Sequence, residues 1–470
     1  VHARFVVIGG GLSGLAAAVR LARFNENVLL LEQHSRVGGL NSYYYRNSRL
    51  IETGLHAITN YSERSQRHTP LNRLLRQLKI RREEVGIHQQ LGSAVRFPQC
   101  TLRFSNDFGL LQEEIERCFG AQVDGFNRFV AHLDTINPFL ATPFISARQV
   151  VSTYITDPLL VDMLLCPMCY YGSSIENDVD FHQYVILFRA IFQEGLFRPR
   201  ATIREFLELL TDRFTAFGGT LRLKTGVKRI VTRNNAVAAL ELDNDEIITC
   251  EQVVSTIGLD ETLRLLGETD HRPQRGQRLA FSESIFVVQA GVRQRVPDDT
   301  ACLFFSAHHP FIYQRPTDAV DFRSGVISLP FNFNGLHGDR DTLEIRTTHL
   351  ANYDLWREAT TEPERYRRLK ESSVKQSRQL AESLIGPFAD LILFHDSFSP
   401  LTIERYTGKR EGAIYGSPAK VKDGLIGYEN LILAGTDQGY LGIIGALLSG
   451  VSMVNNHLLI NHQPSPTRED

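Results

Sequence analysis

The chain has 470 residues, 43% of them hydrophobic and 22% charged, a globular composition too long for one simple core, so two domains are expected. Lys plus Arg number 51 against 53 acidic residues, which predicts no binding face for nucleic acid. The longest apolar runs fall short of the ~20 residues of a membrane span.

The first elements are legible at once. Phe5-Val-Val-Ile8 reads as a buried parallel strand, Leu12 to about Phe24 as a helix, and Val28 to Leu31 as a second strand ending at Glu32. That is a βαβ unit. The run Phe5–Ile8 is too short for a signal-peptide core, and glycines follow it. A cytoplasmic location is expected, with contact to the inner face of a membrane left open.

Between strand and helix stand Gly9, Gly11 and Gly14 in G-x-G-x-x-G spacing. Gly9 permits the tight turn, Gly11 the close approach of a pyrophosphate, and Gly14 the packing of helix on sheet. The backbone N–H groups of the helix start, at Leu12 and Ser13, would face the phosphates. Glu32 is placed to accept from ribose hydroxyls and would repel a 2′-phosphate, which disfavours NADP. NAD and FAD both satisfy this much. The pair Gly38-Gly39, one short loop later, favours FAD, because it lets the chain pass close to an extended dinucleotide.

From about 65 to 200 the pattern is helical, at Phe108–Phe119, Phe126–Ile136, Val150–Leu165 and Phe181–Phe192. Cys166-Pro-Met-Cys169 lies in an apolar part of this region. With no second pair at metal spacing, it reads as two buried structural thiols. An amphipathic helix, Ile203–Phe217, stops at Gly218-Gly219. Strands are predicted at Val227–Val231, Ala236–Leu242, Val253–Thr256, Ile285–Val292, Val326–Phe333 and Leu343–Leu350, and a charged helix at Glu362–Ile385. The tail Gln463–Asp470 reads as a frayed terminus.

Near the end, strand Leu431–Ala434 leads through Gly435 and Asp437 to a glycine-rich helix start at Gly442 and Ile443. Asp437 is expected to bond the ribityl or pyrophosphate region. The helix N-terminus is expected to face the flavin N1–C2=O edge, where reduced flavin carries negative charge. The fold class expected is α/β: a Rossmann-like FAD-binding domain with a parallel sheet (1–95, 200–270 and 400–470) and an interleaved mixed α+β substrate domain (96–199 and 271–399).

These motifs, with Ala434-Gly-Thr-Asp437 and Gly442-Ile-Ile-Gly-Ala-Leu-Leu-Ser-Gly450, resemble the FAD-dependent amine oxidase and phytoene desaturase superfamily. Ser399–Gly408 with Gly412–Gly416 is similar to carotenoid desaturases, carotenoid isomerases and retinol saturases, as is Glu52-Thr-Gly-Leu-His56. Lys224–Ile230 resembles the strand that sets a valine backbone, here Val227, beside the adenine. Two features depart from the pattern. Leu40 stands where many relatives have Arg, and Arg198-Pro-Arg-Ala-Thr202 replaces a Pro-x-Gly-Gly loop.

The resemblance implies an FAD-dependent desaturase, saturase or isomerase acting on a polyene or terpenoid lipid such as a carotenoid. Alternatives are a flavin amine oxidase, a hydroxysqualene-type dehydroxylase, or a non-catalytic prenyl-binding escort protein of the same fold. His56 is the candidate acid/base or stacking residue. Glu404 and Tyr415 read as structural. Pro138–Ile145, Leu159–Tyr171, Phe304, Phe305, Phe311, Phe331 and Phe333 line either a hydrophobic tunnel or an ordinary second core. The stretch from Asn137 to Leu165 is the one expected to touch a membrane. The electron acceptor is left open between oxygen, a quinone and a nicotinamide.

Overall fold

A computed structural model describes residues 1–25, 27–140, 142–200, 202–269, 278–336 and 341–459, so the tail from Gln463 lies outside the described residues. Two large sheets organise the chain. In the first, β1 (His2–Ile8) pairs in parallel with β2 (Val28–Leu31), and α1 (Leu12–Ala22) crosses between them. The sheet forms because Phe5–Ile8 of β1 and all of β2 are apolar and buried on both faces, as a helix-covered parallel sheet requires.

The chain returns to this sheet twice. Near residue 200, β3 (Leu196–Pro199) and α2 (Ile203–Ala216) precede β4 (Thr220–Arg222), which pairs in parallel with β2. The Thr202 hydroxyl caps α2, and Glu205 completes a reciprocal capping box. Then β5 (Ile247–Ser255) pairs in parallel with β1. The strands Ala236–Leu242 and Val227–Arg233 extend the sheet as an antiparallel meander. The last strand, Leu431–Leu433, pairs in parallel with β5 and feeds a helix spanning Gly442–Met453. That helix crosses α1 at close range. A Cβ on Gly450 would lie 2.1 Å from the Ser13 carbonyl, so the contact depends on glycine.

The second sheet has the spatial order Ile392–Phe398, β6 (Ala280–Gln289), Thr342–Ala351, Ser324–Ser328, Cys302–Ser306, Ser93–Arg96, Thr101–Phe104. A helical layer from 108 to 193 packs on its aromatic face, with the Phe104 ring in contact with both Phe192 and Phe304.

Several predicted elements are corrected. Val150–Leu165 is two helices, Ala147–Tyr154 and Pro158–Gly172. Pro158 disfavours helical backbone at Asp157, whose carboxylate then accepts the Leu159 and Leu160 amides and starts the second helix. The predicted strand Ile285–Val292 lies ten residues long at Ala280–Gln289, because Ser282, Glu283 and Ser284 are buried in the sheet despite their polarity. Val326–Phe333 ends as a strand at Ser328, and Pro330, which has no N–H, follows. Cys166 and Cys169 are wholly buried, and burial pushes both thiols up, as structural thiols require. Among the described residues no helix is long and apolar enough to cross a membrane.

His349 on the strand Thr342–Ala351 supplies a pH signature. It lies between Phe305 and Phe322, donates from Nδ1 to the Ser324 carbonyl, and is pushed down to about 4 by burial. The unfolded chain takes up a proton near 6.5 that folded His349 refuses until about 4. Stability therefore falls as pH drops through that window, by on the order of 3 kcal/mol at most. Denaturant unfolding from pH 7 to pH 4 should show this slope, and His349→Gln should flatten it.

Candidate cofactor and active site

The cradle is built where β1 runs out. Gly9 has φ +100°, and its N–H donates to the Leu31 carbonyl at 2.8 Å. Gly14 lies directly beneath it: a Cβ there would sit 1.8 Å from the Gly9 oxygen. A Cβ on Gly11 would meet nothing within 4 Å, so Gly11 faces open space. The Gly38 N–H donates to the Gly10 carbonyl at 2.8 Å, and a Cβ on Gly39 would come 3.4 Å from the Gly11 Cα. Both glycine motifs therefore wall one groove.

Glu32 closes the groove. Its carboxylate accepts the Gly10 and His34 amides, each at 2.7 Å, yet burial pushes its carboxyl up. The Thr225 N–H donates to the Glu32 carbonyl at 2.9 Å, which brings the strand start at Val227 to the same end. Leu12 and Ser13 are the first residues of α1, whose first-turn amides have no partner within the helix. The Ser13 hydroxyl is itself buried without a hydrogen-bond partner. An unpaired buried donor, free helix amides and an open Gly11 face fit a dinucleotide diphosphate. Gly435 closes the groove from the C-terminal side, its Cβ position 3.8 Å from Ser13. Ser13→Ala should weaken cofactor binding about tenfold by removing a donor worth ~1.5 kcal/mol, with no loss of apoprotein stability. Titration of apoprotein, with thermal melts alongside, checks this.

A second constellation lies past Gly38-Gly39. Thr59 sits 3.6 Å from the Cβ position of Gly442, at the N-terminus of the last helix with Ile443. Three residues before Thr59 is His56. Its Nδ1 is 3.1 Å from the Ser328 hydroxyl, and its Nε2 is 3.6 Å from Glu283. Glu283 also faces the wholly buried Arg346 guanidinium at 3.4 Å. Burial alone would raise the Glu283 carboxyl, but the His56 and Arg346 charges outweigh it and hold it below the usual carboxylate range. Arg346 donates to the Glu52 carbonyl at 2.9 Å. The Glu52 carboxylate takes Arg198 at 2.5 Å and the Ile203 amide at 2.6 Å. Arg198 in turn donates to the carbonyls of Leu55 and His56. His56 is thus fixed from its ring and from its backbone.

The profile of the flavin containing amine oxidoreductase family matches residues 12–456. The chain belongs to that family. It binds FAD and is an FAD-dependent oxidoreductase. Among curated proteins it is similar to a lycopene-forming phytoene desaturase from Pseudescherichia vulneris, at 24% identity over 62% of this chain and 63% of that protein. It is also similar to the all-trans-retinol 13,14-reductase of Danio rerio, at 22% identity over 96% of this chain and 86% of that one. A 4,4'-diaponeurosporene oxygenase from Staphylococcus haemolyticus is 21% identical over 89% of this chain and 88% of that one. Among solved structures, an oxidoreductase from Methanosarcina mazei superposes with a TM-score of 0.65 at 17% identity, covering 96% of this chain and all of that one. Putrescine oxidase bound to putrescine superposes with a TM-score of 0.57 at 14% identity, over 97% and 99% of the two chains.

For this family member, FAD supplies the two-electron redox centre, and the chain supplies position and electrostatics. Asp437, expected at the ribityl or pyrophosphate region, is anchored within the protein. Its carboxylate accepts the Leu259 amide at 2.6 Å and the Ser417 amide at 2.7 Å, and it lies 3.6 Å from Lys420. Burial would raise it, but Lys409 and Lys420 hold it below the usual range. Each of its oxygens accepts one backbone amide, so Asp437 fixes the loop before the helix Gly442–Met453, and each keeps a lone pair for a further donor.

The aromatic residues expected to line a tunnel pack on one another. Phe304 meets Tyr171 at 5.1 Å, and Phe311 meets Phe97 at 6.1 Å and Tyr313 at 6.2 Å. Phe305 and Phe331 belong to the core on the sheet's other face. Glu404 accepts from the Tyr353 hydroxyl, and the Tyr415 hydroxyl donates to the Tyr170 carbonyl, both structural roles. The residues missed in the sequence are Glu283, Ser328 and Arg346. The one available signal was Glu283, a lone charge inside an otherwise buried strand.

Proposed function

We propose that the chain desaturates, saturates or isomerises an apolar polyene or terpenoid lipid, with His56 beside the reacting carbons. The observation that carries this reading is that the charges around His56 are paired and that an aromatic cluster lies beyond Ser328. Tyr170, Phe281 and Tyr415 form successive edge contacts at 6.3 and 5.6 Å, and the Tyr171 hydroxyl lies 3.4 Å from Cys302, the cross-strand partner of Ser328. The charges present are paired, Glu283 with His56 and Arg346, and Glu52 with Arg198. An apolar chain approaching His56 would not have to strip water from an unpaired ion. Gly172 ties this wall to the flavin helix, since its Cβ position is 2.6 Å from Leu441. The named activities of the phytoene desaturase, the retinol reductase and the diaponeurosporene oxygenase support the same substrate class.

In this reading Glu283 and Ser328 orient the imidazole, and His56 holds or moves a proton at its ring nitrogens. Anaerobic mixing of oxidised holoenzyme with phytoene, retinol or lycopene, followed by chromatography, tests it. Desaturation bleaches the oxidised flavin; saturation requires prior reduction; isomerisation gives product with no net bleaching. His56→Gln should keep its flavin and lose about a hundredfold in turnover. If no polyene is converted while a primary amine bleaches the flavin, the proposal is wrong.

A further inference from the structure

Away from the glycine cradle lies a cavity of about 280 Å³ that shares no residue with Gly9–Gly14 or Gly38-Gly39. Its walls come from the 138–139 turn, the helix Phe181–Phe188, and the loop just before the flavin helix. Phe139 and Tyr440 stack at 5.5 Å and 22° into one aromatic wall, with Ile186 and Met453 beside them. Phe139 is 58% exposed, so much of its ring is uncovered.

Into this apolar space points Gln183. Its side chain is only 3% exposed, and its Nε2 has no hydrogen-bond partner. A buried amide donor left unpaired costs about 1–3 kcal/mol, so its retention calls for an acceptor. Gly439 packs against the amide, where a Cβ would lie 3.4 Å from Nε2. The surrounding charges do not favour an ion. Lys422 is spent on Asp180 at 3.4 Å and on Thr142, and Asp423 lies exposed at the rim. Burial and the Lys422 charge push the His182 imidazole down.

We infer that this cavity is a second ligand site, for a neutral, flat, apolar molecule whose carbonyl oxygen accepts from the Gln183 amide. Its volume is below the roughly 300–1,000 Å³ of drug-sized ligand sites, which suits one or two fused rings and not an extended polyene. The ligand chemistry has two sources: a quinone-type acceptor that takes electrons from the flavin, or an oxygenated ring of the enzyme's own substrate. The site stands whether or not the polyene reading holds.

Binding of menadione and of 2-methylnaphthalene, the same ring system without the oxygens, to oxidised holoenzyme tests it. Menadione should bind about tenfold tighter, the factor that one hydrogen bond to a buried donor supplies. Gln183→Leu should erase the difference, and Phe139→Ala should weaken both ligands. Flavin content and melting temperature establish that each variant is folded. Anaerobic reoxidation of dithionite-reduced holoenzyme then separates the sources. With a quinone-type acceptor, two electrons and one proton leave the reduced flavin, and menadione, with a second proton from water, becomes the hydroquinone. Gln183→Leu would then slow reoxidation by the same factor. An unchanged reoxidation rate with the binding difference intact assigns the site to an oxygenated substrate ring. Equal affinities in the wild type, or a Gln183→Leu variant that still prefers menadione, overturn the inference.

Discussion

Gly14→Ala should give a protein without flavin. The added methyl would sit 1.8 Å from the Gly9 carbonyl oxygen and 2.8 Å from the Thr256 hydroxyl. The first of these is backbone, so no side-chain rotation relieves it. Either α1 lifts from the sheet or the Gly9 turn opens. The first loosens the contact between Ser13 and Gly450, and the second removes the phosphate groove. Overpacking of this kind costs about 1–3 kcal/mol, at the upper end where only backbone can move. The loss in affinity should be larger than the loss in stability, because phosphate recognition depends on amides aimed at one point. Flavin-to-protein ratio after gel filtration should fall at least tenfold, while circular dichroism still reports a folded chain. Gly11→Ala is the control with the opposite geometry: its methyl meets nothing in the apoprotein, so the melting temperature should hold while FAD binding weakens.

That contrast shows why the cofactor half was legible from sequence. Gly9, Gly11, Gly14, Gly38 and Gly39 lie within 31 residues; local backbone geometry requires all but Gly11, whose open face serves the cofactor, and spacing records them together. Glu32 sits at a strand end for the same local reason. The region of His56 is different in kind. Its partners Glu283, Ser328 and Arg346 come from three strands of the second sheet, and their meeting depends on register: Ser284 opposite Thr347, and Ser328 opposite Arg346. Alternation along one strand cannot specify what faces it across the domain. Arg198 illustrates the limit. Its loop was legible as a departure from the family pattern, but only the fold shows the guanidinium bonded to Glu52 and the His56 carbonyl. The aromatic residues stay ambiguous in the sequence for a related reason. A phenylalanine-rich stretch has the same composition whether its rings line a tunnel or fill a core, and here Phe304 and Phe311 fill one.

Arg346→Leu should be among the most destabilising substitutions in the chain. The guanidinium is wholly buried, faces Glu283 at 3.4 Å and Glu344 at 2.7 Å, and reaches the Glu52 carbonyl. Its removal leaves Glu283 charged and buried with only His56 to compensate, a loss of about 3–5 kcal/mol. Glu344 suffers less, since it is partly exposed and can turn to water. The pair Arg346→Leu with Glu283→Leu should recover most of the stability, because the charge that needed compensation is gone. Activity should not recover with it. Glu283 also stands 3.6 Å from His56 Nε2, and without it the ring keeps only Ser328 at Nδ1. The double variant should therefore melt near the wild type, bind FAD through an intact cradle, and still turn over slowly. Denaturant unfolding paired with turnover measures both. A double variant that regains stability and full turnover together would show that the buried charges serve the fold alone and that His56 needs no carboxylate. Recovered stability with a persistent turnover defect separates the two roles of Glu283: balancing a buried guanidinium, and holding the His56 imidazole.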